Sequence, residues 1–88
     1  MLSLASKVAR ATRVLFAETE DSLWTISANT RVVGSLVCEA GRWRLSWFAG
    51  ADRRLVDYAG PVSGDIETLE RALGLRLGAP VHFESHPV

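Results

Sequence analysis

One cysteine in 88 residues leaves no internal disulfide framework and no cysteine-only metal site. Charge of either sign is not in excess: ten lysines and arginines balance ten acids, for a formal net charge of zero. That balance argues against coating nucleic acid through bulk charge, and against an acidic disordered tail. No apolar run approaches the roughly 20 residues that span a bilayer. No segment matches a P-loop, a dinucleotide fingerprint or a Gly-x-Ser-x-Gly nucleophile elbow. Internal repeats and low-complexity stretches are also missing. What is present is ordinary: 48 % hydrophobic and 23 % charged residues, close to the averages for a soluble globular protein. The length suits one modest core, so residues 1–88 read as a single cytoplasmic domain.

The first seventeen residues, MLSLASKVARATRVLFA, contain no acid. At about 100° per residue, Leu4, Val8, Ala11 and Leu15 share one arc of a helix, with Lys7, Arg10 and Arg13 opposite. Ser3 suits its N-cap. The simplest reading is an amphipathic helix packed on the domain. A helix that docks on a partner or a membrane, and an acid-poor transit-type presequence, are the alternatives.

From Leu23 to Tyr58 the pattern predicts antiparallel strands. A turn at Ala40-Gly41 sets Glu39 opposite Arg42, Cys38 opposite Trp43, Leu36 opposite Leu45 and Gly34 opposite Trp47. Side chains alternate along a strand, so Gly34, Leu36, Cys38, Trp43, Leu45 and Trp47 share one face. Glycine leaves room for the Trp47 indole, and Glu39 with Arg42 makes a cross-strand pair of opposite charge. A three-residue loop at Asn29-Thr30-Arg31 then sets Ala28 opposite Val32, Ile26 opposite Gly34 and Trp24 opposite Leu36. A fourth strand is expected over Arg54–Tyr58. The other face carries Val33, Val37, Arg44, Ser46 and Phe48, too mixed for a core and apolar enough to form an interface.

Gly60 to Gly64 is a loop by composition, and Asp65 caps a helix through Leu73 that Gly74 ends. Ile66, Leu69, Ala72 and Leu73 supply its buried side. After Pro80, Val81–Glu84 reads as a short edge strand. The fold class is therefore α+β: a four-stranded antiparallel meander with two helices on one face, the first near the N-terminus and the second after Asp65. Its core should contain Trp24, Ile26, Leu36, Cys38, Trp43, Leu45, Trp47, Ile66, Leu69 and Leu73.

Catalytic chemistry finds little support in these residues. His82 and His86 are about 13 Å apart in an extended segment, too far to share one ion. Cys38 falls on the apolar strand face, where a lone cysteine acts as a small hydrophobe. The acids after Gly64 match helix-dipole complementarity rather than acid/base work. No enzyme activity, cofactor or metal is expected.

Charge is uneven along the chain, however. Arg31, Arg42, Arg44, Arg53 and Arg54 outnumber Glu39 and Asp52, leaving a local charge of +3. The strand register puts Trp43 and Trp47 on the face opposite Arg42 and Arg44, so they form no common platform for bases. Arg44 with Phe48 remains. Arginine and aromatic residues are also what protein–protein interfaces favour. Over residues 3 to 74, the order helix, three strands, helix resembles the double-stranded-RNA-binding domain in topology alone. That resemblance implies phosphate binding at a lysine-rich start of the second helix. The corresponding residues here, Gly64-Asp65-Ile66-Glu67-Thr68-Leu69-Glu70, are acidic and would repel phosphate.

The expectation is thus a protein-binding module, such as an accessory, regulatory or inhibitor protein of a bacterium or mobile element, and a homodimer. Its contact residues would be Arg31, Val33, Val37, Arg42, Arg44, Phe48, Arg53 and Arg54, with Lys7, Arg10 and Arg13 of the first segment. Nucleic-acid binding through the same arginines is the disfavoured alternative.

Overall fold

The computed structural model describes residues 20–87. The expected helix over residues 1–17, with Lys7, Arg10 and Arg13, lies outside them. The fold is α+β, an open four-stranded antiparallel sheet with two helices. Strands β1 (Ser22–Ala28), β2 (Arg31–Glu39) and β3 (Arg42–Trp47) follow in sequence. Helices α1 (Arg53–Val56) and α2 (Ile66–Leu77) come next, and strand β4 (Val81–His86) closes the order β3-β2-β1-β4.

The β2–β3 hairpin has the register that its sequence dictates. Glu39 pairs with Arg42, Cys38 with Trp43, Leu36 with Leu45 and Gly34 with Trp47. Ala40 and Gly41 both take positive φ, 53° and 77°, as a two-residue turn matched to strand twist requires. No ion pair closes between Glu39 and Arg42, although the two face each other.

The β1–β2 connection departs from expectation in an instructive way. The turn has two residues, Asn29 and Thr30, with φ of 53° and 62°. Ala28 therefore pairs with Arg31 and Ser27 with Val32. A β-bulge between Ile26 and Ser27 then absorbs Val33, and Ile26 still meets Gly34 and Trp24 still meets Leu36. The short turn and the expected pairing of large residues coexist because of that one extra residue.

Arg54–Tyr58 is not a strand. Asp52 caps a single helical turn by accepting the Arg54 backbone N–H at 2.8 Å, and the Tyr58 N–H closes back on the Leu55 carbonyl at 3.0 Å. The turn drives Leu55 into the core, where it is 1 % exposed. The sheet's fourth member is instead the C-terminal strand, which pairs with β1 from Ala28↔Val81 to Leu23↔His86. Helix α2 begins where Asp65 accepts the Thr68 N–H and hydroxyl. It runs past Gly74 and ends at Gly78, whose φ of 74° suits a left-handed cap.

Ile26, Ala28, Leu55, Leu73, Leu77 and Val81 form one buried cluster, so both described helices pack on the same sheet face. Leu36, Cys38 and Leu69 are buried as well. The three tryptophans, Leu45 and Ile66, expected in the core, are only half-buried. Trp47 lies over Gly34, where an added Cβ would sit 2.8 Å from its ring.

Candidate functional site

Alternation leaves the second sheet face to Leu23, Thr25 and Ser27 of β1, and to Val32, Ser35, Val37 and Glu39 of β2. It continues with Arg42, Arg44 and Ser46 of β3 and with His82, Glu84 and His86 of β4. No described helix packs on this face.

Of the expected contact residues, the strand register places Val37, Arg42 and Arg44 together on it. Arg42 and Arg44 are exposed and make no ion pair among the described residues. With Val37, Glu39, Ala40 and Trp43 they line a shallow concavity at the turn end of the β2–β3 hairpin. Phe48, 48 % exposed, stands just past β3, anchored by its N–H to the Val33 carbonyl at 2.9 Å.

Val33 does not belong to this face. The bulge turns its side chain against the core cluster, where it is half-buried. Its neighbour takes that place: Val32, opposite Ser27, is 52 % exposed. Sequence reading placed Val32 opposite Ala28, on the core side, and so missed it. The turn signal was there in Asn29-Thr30, since asparagine tolerates the left-handed region. The bulge left no such mark.

Arg31 pairs with Ala28 and stands at the rim of the core side. Arg53 and Arg54 lie on α1, away from the sheet face. Arg54 grips Asp52 through two side-chain hydrogen bonds of 3.0 and 2.9 Å, and Arg53 lies 3.8 Å from Asp57. The Arg54 hydrogen bonds hold the Asp52 carboxyl down at about 2, against an ordinary 3.8. Those two cations are locally compensated, so the local positive charge shrinks to the sheet arginines.

Chemistry-bearing residues elsewhere are dispersed. Cys38 is 1 % exposed on the core face. The His86 ring lies 2.9 Å from the Thr25 hydroxyl, so its Nε2 is held by a side chain of β1. No cluster of three or more potential metal ligands occurs among the described residues, and no described helix is long and apolar enough to cross a membrane. Comparison with known proteins finds no family model, no curated protein and no solved structure similar to the chain.

Proposed function

We propose that the chain is a small non-catalytic protein-binding module, an accessory, regulatory or inhibitory protein of the cytoplasm that acts by occupying or bridging a protein partner. The observation that carries this reading is the composition of the open sheet face. Arg42 and Arg44, without ion pairs among the described residues, share it with Val37 and the exposed Val32, and the exposed Phe48 stands just past the end of β3. Arginine and aromatic side chains beside apolar ones are what interface centres favour, because one side chain supplies both buried area and directed hydrogen bonds. A net charge of zero supports a protein partner over nucleic acid, whose affinity comes mainly from neutralising phosphates.

The test is capture of partners from the native host with and without nuclease, followed by binding at rising salt. The reading expects a protein partner retained through nuclease treatment, with a shallow salt dependence. Loss of every partner with nuclease, together with affinity falling steeply as salt rises, would favour nucleic acid instead and overturn it.

A further inference from the structure

The open sheet face carries opposite charges at its two margins, and neither is neutralised among the described residues. On the helices Arg53, Arg54 and Arg71 each lie within 4.0 Å of an acid, and the Arg76 Nε–H donates to the Arg54 carbonyl at 2.7 Å. Arg42 and Arg44 of β3 form no ion pair among the described residues, and neither does Glu84 of β4, exposed on the same face. Strand pairing sets these residues in rows across the sheet. One row runs Arg44, Val37, Leu23, His86, and the next runs Ser46, Ser35, Thr25, Glu84. Arginine stands at one margin and a carboxylate at the other. Between them lies a half-buried apolar pair, Val37 with Leu23.

We propose that this face binds the same face of a second copy of the chain, the two sheets stacked about a two-fold axis that runs along the strands between β1 and β2. The proposal rests on the protein-binding reading of the face and names the partner. Charge selects the axis. A two-fold along the strands lays β3 of one copy over β4 of the other, whereas a two-fold across the strands lays β3 over β3 and arginine against arginine. In the first arrangement Val37 and Leu23 meet Leu23 and Val37 of the second copy, a self-complementary apolar centre. Arg44 comes over His86 of the second copy, whose Nε2 is already held by the Thr25 hydroxyl of its own chain at 2.9 Å. Glu84 lies two residues along the same strand, roughly 7 Å away and within the span of an arginine side chain. Thr25, Ser35 and Ser46 are short enough for sheets stacked about 10 Å apart. Four strands about 4.8 Å apart and some 20 Å long give a footprint of roughly 400 Å² per copy, which suits a weak, reversible pair. A net charge of zero adds no overall repulsion.

The test uses the full chain. Sedimentation equilibrium should show a reversible dimer at high micromolar concentration. Glu84→Arg sets arginine against Arg44 at two symmetric places and should weaken dimerisation about tenfold. Arg44→Glu should do the same by bringing two carboxylates together. The double variant Arg44→Glu/Glu84→Arg should restore the dimer, since the charges are exchanged and still opposite. Circular dichroism checks that each variant folds. Position is read separately. The Arg44→Lys protein, treated with a carbodiimide, should give a dimer joined between positions 44 and 84 by mass spectrometry, a link that the roughly 14 Å between β3 and β4 of one chain forbids. A protein that stays monomeric at high micromolar concentration, a dimer whose single and double charge variants associate alike, or one never joined between positions 44 and 84 would overturn the proposal. A monomer that still retains a foreign partner through nuclease would sink this proposal alone. A dimer with the charge rescue that retains no foreign partner would confirm it while refuting the broader reading.

Discussion

At Gly34 a single added methyl group would collide with two neighbours at once, the Trp47 ring at 2.8 Å and the Ser46 carbonyl. One of those atoms is backbone and cannot swing aside. Gly34→Ala should therefore destabilise the fold by about 1–3 kcal/mol, the usual cost of overpacking, as read from urea midpoints. An unchanged midpoint would contradict the packing described. Gly34 was legible in the sequence because a strand glycine opposite a tryptophan needs a reason. Val32 and Val33 were not, because both are β-branched and apolar and nothing in either says which will be the extra residue. Acid sensitivity also belongs to single residues. Asp52 is held at about 2 by Arg54, and Asp65 is lowered by Thr68. Both carboxyls are depressed in the folded state, so the stability they add is full above the unfolded value of 3.8 and is lost as pH falls through their folded values, about 2 for Asp52. Stability should thus fall between about pH 4 and pH 2. Asp52→Asn should flatten part of that fall, because asparagine caps a helix but does not titrate. Identical acid profiles for the two proteins would refute the assignment.

Among the elements, the β1–β2 turn holds two adjacent non-glycine residues at positive φ, Asn29 and Thr30. Thr30 is β-branched and takes a φ of 62°, where its Cβ crowds the following carbonyl. Thr30→Gly relieves that crowding and should stabilise the protein by roughly 1 kcal/mol in thermal or urea unfolding, even though glycine loosens the unfolded chain. A loss of stability would show that the Thr30 hydroxyl, which donates to the Asn29 carbonyl, matters more than the strain. The β2–β3 hairpin was readable to the residue, since Ala-Gly, a charge pair and a glycine–tryptophan match all agree on one register. Arg53–Val56 was not, because four residues are too few for periodicity to separate helix from strand. The informative sign was Asp52, an N-cap residue with Leu55 and Tyr58 spaced three apart behind it. Helix α2 shows the reverse error. Gly74 looks like a stop, yet the helix runs through it, a Cβ there would make only an ordinary contact with the Ala79 carbonyl, and Gly78 makes the cap instead.

Across the whole molecule, the sheet divides its labour by face. One face builds the core with α1 and α2, while the other carries Arg42, Arg44, Val37 and the exposed Val32. The β4 edge is closed in its middle by Glu70 of α2. Where the fold places the expected contact residues was partly legible at this scale. Alternation alone placed Val37, Arg42 and Arg44 together, whereas the local ties of Arg53 and Arg54 to acids depend on a helical turn where the pattern predicts a strand. The central claim is that this open face binds a protein partner. Its most direct test is the affinity of a nuclease-resistant partner for wild-type protein and for the Arg44→Ala/Phe48→Ala variant, measured by titration calorimetry, with tryptophan emission and urea midpoints as controls for folding. The account predicts a variant folded as well as wild type and at least about tenfold weaker in binding, since interface hot spots cost 2 kcal/mol or more each on truncation, roughly. Equal affinity for the two proteins would contradict it.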